Sequence, residues 1–418
     1  MTKTGTAKYA YRGIMLDEAR HFFGVDVVKN LLDIMGRLGL NKFHWHIADD
    51  QGFRIDLPDF PKLKEIASKR SYTMLGGFYK KNIRDDTAYE GCYSIKEVEE
   101  VLAYANSLGI EVIPELDMPG HSTALIAAYP ELGCGGKQIE VTGNFGILEN
   151  TLCMGKDSTL EFMKKLIGQL CDLFKAKTFH VGFDEVLLSH NKACPECQAK
   201  IKELGLRDEV ALKIYFKNQI RDYLKSRDVQ PVVYNDGMGG FDPEVICFYW
   251  RFLDKNDTAT IPWVDQGQPS IIGPYYALYM DYPYARTPLK KTYNFNPVLN
   301  GIHHPENIIG LEAPLWTESV EGPGKIAFNC YYRMAALAEI AWYGEERRPY
   351  KEFMADLRAN EEKLFGLKLN IPESILNPNA FSRMKNSKTY NFKDANWEYK
   401  SYEASFFART AAPPASSE

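Results

Sequence analysis

The sequence predicts an α/β chain folded as a (β/α)8 barrel, a TIM barrel, with a less regular C-terminal extension. Three observations predict it. Short apolar or β-branched segments alternate with helical patterns along most of the chain. Helix-to-strand connections are tight (Gly39-Leu-Asn41, Gly109, Lys175-Ala176), whereas those leaving the second and third strands are long. Polar side chains that are costly to bury recur at the predicted C-terminal end of nearly every strand, the face on which such barrels keep their chemistry. An open doubly wound sheet is the rival, and the absence of Gly-x-Gly-x-x-Gly after the first strand weakens it.

The strand segments are Tyr11–Leu16, Lys42–Ile47, Ile110–Glu115, Lys177–Val181, Pro231–Tyr234, Val245–Phe248, Ser270–Tyr275 and Ile309–Glu312, each bounded by polar or Gly/Pro residues. Val27, Val28, Leu31, Leu32, Met35 and Leu38 form one apolar helical stripe. Ser94-x-x-Glu97 reads as a capping box opening a second helix that ends at Gly109. Ser158-x-x-Glu161 reads as the box of a third, with Phe162, Leu166, Leu170 and Leu173 facing inward. Later helices are expected over Glu209–Ser226 and Asn329–Trp342. The domain division is a barrel over 8–348, an extension packing on it over 349–410, and a disordered Pro/Ala/Ser tail over 411–418.

At 418 residues the chain suits one large barrel, with 45% hydrophobic and 25% charged residues, an ordinary globular balance. A net charge of −5 and a pI near 6.0 argue against a nucleic-acid partner. No apolar run reaches the ~18 residues of a membrane span. The first residues, Met1 to Lys8, hold no apolar h-region, so the chain as given is expected to be cytoplasmic; a removed leader would leave the same N-terminus. Cys194-Pro-Glu-Cys197 has no second C-x-x-C at zinc spacing and reads as structural or free thiols, with metal binding the alternative, while Cys134 and Cys153 bracket a Gly-rich loop and could pair in an oxidising compartment.

The richest stretch is Lys177-Thr-Phe-His-Val-Gly-Phe-Asp184-Glu185-Val186, a β-prone run that delivers two adjacent carboxyls. Neighbouring acids repel, which holds one protonated near neutral pH and able to act as a general acid. An acidic helix cap would look similar in isolation. The other strand ends decide between them: Asp17, Arg20 and His21 after the first, Asp49 and Asp50 after the second, and Glu115, Asp117 and His121 after the third. Tyr234-Asn235-Asp236, Tyr249-Trp250, Tyr279-Met-Asp281, and Glu312 with Trp316-Thr-Glu318 follow. Acids, an Arg, Trp and Tyr at one rim, with no Ser–His–Asp order and no phosphate loop, suit carbohydrate: aromatic faces stack on sugar C–H surfaces and acids bind hydroxyls. His44, His46, Asp49 and Asp50 could be metal ligands, with His44 and His46 on one strand face. A cleft of this kind needs no metal, and neither metal nor cofactor is expected.

Five ordered motifs carry a resemblance to a known family. Arg12-Gly-Ile-Met-Leu-Asp17-Glu-Ala-Arg20-His21, His44-Trp-His-Ile-Ala-Asp49-Asp50, Asp117-Met-Pro-Gly-His121, His180-Val-Gly-Phe-Asp184-Glu185 and Glu312-Ala-Pro-Leu-Trp316-Thr-Glu318 resemble glycoside hydrolase family 20, the β-N-acetylhexosaminidases. The resemblance implies retaining, exo-acting hydrolysis of terminal β-linked GlcNAc or GalNAc, with the substrate's own acetamide as nucleophile. By matching position it implies Glu185 as general acid/base and Asp184 as the residue that orients the acetamide N–H and stabilises the oxazolinium. It implies Arg20, Asp281 and Glu318 as ligands to the ring hydroxyls, and Tyr279 as donor to the acetamide oxygen. Trp250 and Trp316 would be pocket walls, and Asp49 and His121 residues that tune the acid.

Two positions depart from the pattern: Phe183 replaces the second of two glycines, and Tyr234 stands where many members carry a Trp and is expected among the substrate-binding residues. The first strand begins near Tyr11, so the smaller N-terminal α/β domain common in the family is not expected. The implied partner is a glycan or glycoconjugate ending in N-acetylhexosamine. A relative that releases a disaccharide or a decorated, for example sulfated, sugar is the alternative within enzymes. An inactive carbohydrate-binding barrel is the alternative outside them, and the intact Asp184-Glu185 pair argues against it.

Overall fold

The structure is a computed structural model that describes residues 5–75, 83–251, 261–299 and 301–386. Among these residues eight parallel strands close into a ring. They are β1 (Tyr11–Asp17), β2 (Lys42–Asp49), β3 (Glu111–Met118), β4 (Thr178–Gly182), β5 (Gln230–Tyr234), β6 (Ile246–Tyr249), β7 (Ser270–Ile272) and β8 (Ile308–Leu315). Neighbours in sequence are neighbours in the ring, and β1 closes it by pairing with both β2 and β8, with Gly13 opposite Lys42 and Glu312. The expected (β/α)8 barrel is the observed one.

The main helices are α1 (Val25–Leu38), α2 (Ile95–Ser107), α3 (Asp157–Phe174), α4 (Glu209–Ser226) and α5 (Pro323–Tyr343). The α1 stripe buries Val27, Val28, Leu31, Leu32, Met35 and Leu38, each burial favouring the fold by about 1.5–3 kcal/mol. The Ser94–Glu97 capping box opens α2 as expected, each side chain bonding the other's backbone N–H. The second expected box does not form. Lys156 is the N-cap of α3 without a side-chain bond, and Ser158 and Glu161 lie inside the helix. The Lys156 ammonium is tied to the Glu131 and Gly133 carbonyls, and Asp157 supplies the negative charge that the helix N-terminus favours. Helix α5 begins before the expected Asn329 because it is buried on nearly every side, which erases the amphipathic stripe a sequence would show. Strand β7 stops before Gly273-Pro274, short of the expected Tyr275.

Two apolar regions result. The large one fills the shell between barrel and helices; the small one, Tyr11, Ile113, Val232, Tyr234, Phe248 and Ile271, lies within the barrel. The rest of the barrel interior is ionic. His44 Nδ1 lies 2.8 Å from Glu312 Oε1 and its Nε2 2.9 Å from Glu115 Oε2. His46 pairs with Glu115, and Tyr11 donates to Glu312. Gly13 makes room for this network, since a Cβ there would come within 2.6 Å of the Glu312 carboxyl. His44 and His46 do share a face, but Glu115 and Glu312, expected at the rim, are interior groups because β3 and β8 run on past them.

Beyond the barrel, α6 (Tyr350–Ala359) and α7 (Glu361–Phe365) pack back on it: the Phe353 ring stacks on Tyr293 at 4.5 Å, and Tyr332 donates to Glu361. The rest of the expected extension from residue 387, and the tail 411–418, lie outside the described residues. No helix among the described residues is long and apolar enough to cross a membrane.

Candidate active site

One cavity of about 360 Å³ opens at the C-terminal ends of the strands. It gathers Arg20 from beyond β1, Asp49 from β2, Asp117 from β3 and His121 from beyond it, Asp184 and Glu185 from beyond β4, and Trp250 from beyond β6. Tyr279 and Asp281 come from beyond β7, and Trp316 and Glu318 from beyond β8. Every site residue expected from the sequence lines this cavity except Tyr234. That side chain is buried inside the barrel, its ring 4.3 Å from His180 and 5.2 Å from Phe248, and it is not part of the cavity wall. An inward-facing residue of β5 ends one position too deep to reach the rim.

The backbone that presents the two adjacent acids is unusual. Gly182, Phe183 and Glu185 have φ of 69°, 70° and 50°, and His121 across the rim has 50°. Left-handed conformations at non-glycine residues cost roughly 1–2 kcal/mol each and cluster where function demands them. A Cβ on Gly182 would lie 1.7 Å from Asp117 Oδ1, so glycine is required there. Phe183, the departure from the family pattern, points away from the cavity into the shell, where its ring meets Phe216 at 6.4 Å. It therefore leaves the cavity wall unaltered. Its backbone presses on Gly237, where a Cβ would come within 2.5 Å of the Phe183 Cβ.

A chain of charges runs beneath the pair. Arg20 Nη2 lies 2.7 Å from Asp49 Oδ2, and Arg20 Nε donates to Gln51 Oε1 at 2.7 Å. Burial opposes the Asp49 charge, but Arg20 and His121 outweigh it and hold that carboxyl well below the usual range. Burial likewise opposes a charged His121; Asp49 at 3.2 Å, with Asp50, wins and keeps the ring an imidazolium. The His121 Nε2 is 3.9 Å from Glu185 Oε2.

The two acids are placed differently. Asp184 is buried, and burial pushes its carboxyl up to about 7; His121 opposes this, while Asp236 and Glu185 add to it. It shares a hydrogen bond with Asp117, whose own carboxyl is driven well above its normal range by burial and by Asp184. The Asp117 carboxyl, raised the further of the two, is thus the donor and Asp184 the acceptor. The Glu185 side chain stays 26% exposed to the cavity, and burial raises its pKa with His121 acting against. Its backbone N–H donates to Asp236 Oδ2 at 3.0 Å, and Asp236 Oδ1 accepts from the Trp250 indole at 2.9 Å. Both acids are thus raised above the ordinary carboxylate range by burial, the accessible one facing His121 and the buried one accepting from Asp117.

The opposite wall is aromatic. Trp250 and Tyr279 lie near parallel, 6.4 Å apart at 19°, and Trp316 meets Tyr279 at 6.3 Å. The Arg20 guanidinium sits 5.1 Å over the Trp316 ring. At the far end burial, then Glu318, pushes Asp281 up to about 8, so a neutral carboxyl is available to donate to a hydroxyl. Sequence reasoning noted Asp117 and Asp236 at strand ends without assigning them to the site. Phe145, Ile147, Tyr282 and Arg286 also line the cavity and were missed, since they lie in loops with no periodic signal.

Comparison with known proteins points the same way. The family model "Glycosyl hydrolase family 20, catalytic domain" matches residues 9–345. A β-hexosaminidase of Porphyromonas gingivalis is 31% identical over 82% of this chain, and the chain spans 44% of that protein's length. The crystal structure of a β-N-acetylhexosaminidase superposes with a TM-score of 0.80 at 28% identity, covering 88% of this chain and 80% of that one. A Vibrio harveyi exo-β-N-acetylglucosaminidase, solved in complex with N-acetylglucosamine, gives 0.75 at 27% identity, covering 86% and 59%.

Proposed function

This chain belongs to glycosyl hydrolase family 20, and from that membership and the cavity's geometry we propose that it is an exo-acting, retaining β-N-acetylhexosaminidase. The observation that carries the reading is the division between the neighbouring acids: Asp184 buried and bonded to a neutral Asp117, Glu185 open to the cavity and facing an imidazolium.

The proposed reaction uses them in sequence. The terminal sugar stacks on Trp316 with its acetamide between Trp250 and Tyr279. Arg20, Asp281 and Glu318 bind the ring hydroxyls. The acetamide oxygen attacks C1 as the C1–O bond to the leaving group breaks, and Glu185 gives its proton to the departing oxygen. Asp184 holds the acetamide N–H and faces the positive charge of the oxazolinium. Glu185, now a carboxylate, takes a proton from the water that opens this ring at C1, and the product leaves as the β-anomer. Both the displacement and the ring opening invert C1, so the configuration is retained overall. The acetamide is already tethered to C1's neighbour, and such pre-orientation is worth up to about 7–11 kcal/mol.

The test is turnover of a chromogenic aryl β-GlcNAc glycoside by the purified chain. Release of the phenol, abolished in the Glu185→Gln, Asp184→Asn double variant, supports the reading. A folded, glycan-binding protein with no turnover of this glycoside or its GalNAc counterpart refutes it.

A further inference from the structure

A second group of reactive side chains lies outside the cavity. Cys134, Cys153, Cys194 and Cys197 converge from two loops, those after β3 and β4, with all four Sγ atoms within 4.8 Å of one another. None is in a disulfide; Cys134 and Cys153, which could have paired with each other, instead join the C-x-x-C. Cys153 Sγ is 3.6 Å from Cys194 Sγ and 3.7 Å from Cys197 Sγ. A disulfide needs ~2.05 Å. Four sulfurs about 2.3 Å from a central zinc stand about 3.8 Å apart along the tetrahedron's edges. We propose that these four cysteines hold one structural zinc ion, which fastens the loop after β3 to the loop after β4.

The local structure is built for this. An antiparallel bridge between Gly133 and Leu152 sets Cys134 beside Cys153, and the Cys153 N–H donates to the Leu132 carbonyl at 2.7 Å. Cys194 caps the helix Pro195–Glu203 with Pro195 at its first position, so the C-x-x-C turns both thiols out from one helix start. The Cys153–Lys156 turn lies backbone against backbone on that motif: a Cβ on Gly155 would come within 2.4 Å of the Cys197 nitrogen. Asn191 Nδ2 donates to Cys134 Sγ at 3.5 Å and Cys197 Sγ at 3.6 Å. Its amide oxygen is fixed by the Thr151 hydroxyl at 2.8 Å. Oriented N–H donors aimed at sulfur are the outer shell that thiolate ligands use. Zinc displaces the thiol protons to solvent and leaves a centre of net charge −2, which these donors offset.

The clip lies next to the chemistry. The Leu152 N–H donates to the Pro119 carbonyl at 2.8 Å, in the turn that carries His121, and Cys194 follows shortly after Glu185. The site is independent of the glycosidase reading, because its readout is metal content. Protein purified without chelator is analysed for metals, and its thiols are titrated after denaturation. About one zinc per chain with all eight cysteines titrating supports the proposal. Mercurial titration of the native protein should release that zinc to a chromogenic chelator, whether or not variants fold. Cys197→Ser should lose the zinc and lower Tm. Cobalt(II) in its place should give thiolate charge-transfer and tetrahedral d–d bands. Fewer than eight thiols without zinc, eight thiols with no zinc taken up from solution, or iron in its place would each overturn it.

Discussion

Asp184→Asn separates electrostatic stabilisation from simple binding. Asp184 is buried, its Oδ1 has no hydrogen-bond partner among the described residues, and it accepts from Asp117, so above about pH 7 it carries a buried charge. A unit charge about 4 Å from the developing oxazolinium, at an effective dielectric of about 20, is worth about 332/(20 × 4), or roughly 4 kcal/mol. At about 1.36 kcal/mol per decade that sets a ceiling near 10³-fold. The amide keeps a dipole, so the expected loss of kcat is about 10²–10³-fold, with a much smaller change in KM. The pH profile sharpens the test. In the parent the acid limb of kcat/KM is expected to be proton uptake by the Asp184 carboxyl, which burial places at about 7, with activity falling as pH drops through it. Asparagine cannot take up that proton, so the acid limb disappears and only the alkaline limb, loss of the Glu185 proton, remains. Steady-state kinetics on an aryl β-GlcNAc glycoside across pH reads both. An intact kcat with a raised KM, or a surviving acid limb, would refute the assignment.

Glu185→Gln should lose most turnover of glycosides with poor leaving groups and much less with an acidic phenol, whose departure needs little protonation; equal losses on both would remove Glu185 as the acid. Phe183 combines full burial with a φ of 70°. Phe183→Ala should cost about 3–4 kcal/mol, and Phe183→Gly should be about 1 kcal/mol more stable than the alanine variant because glycine relieves the left-handed backbone. Urea denaturation showing alanine the more stable would contradict that. The Tyr234 hydroxyl is buried with no partner among the described residues and lies off the cavity wall. Tyr234→Phe should thus raise stability by about 1 kcal/mol with kinetics unchanged, and a loss of kcat would return Tyr234 to the site.

The strands were legible because each is a short apolar run between polar or glycine breaks, and a closed parallel barrel was legible from their alternation with helices. The strand ends were less so. Asp49 and Asp117 mark strands that run past Ile47 and Glu115, because buried polar groups near the barrel mouth find partners inside the ring, as Glu115 does with His44 and His46. The two acids that line the cavity side by side were legible as adjacent carboxyls after a β-prone run. Tyr234 was misplaced because sequence gives the strand but not the depth at which an inward side chain sits. The partners of Cys194-Cys197 could not be read from spacing, since they come singly, one from each side of a loop, and meet only in the fold.

In the proposed reaction the substrate's acetamide, held by Tyr279 and Trp250 against Asp184, is the nucleophile. The most direct measurement compares kcat/KM for an aryl β-GlcNAc glycoside and the matching β-glucoside, which lacks that group. The glucoside is expected to be slower by at least roughly 10³-fold, equivalent to losing only ~4 kcal/mol of intramolecular advantage. Comparable rates on the two, with a fluorinated sugar trapped as an ester on a protein carboxylate, would contradict it.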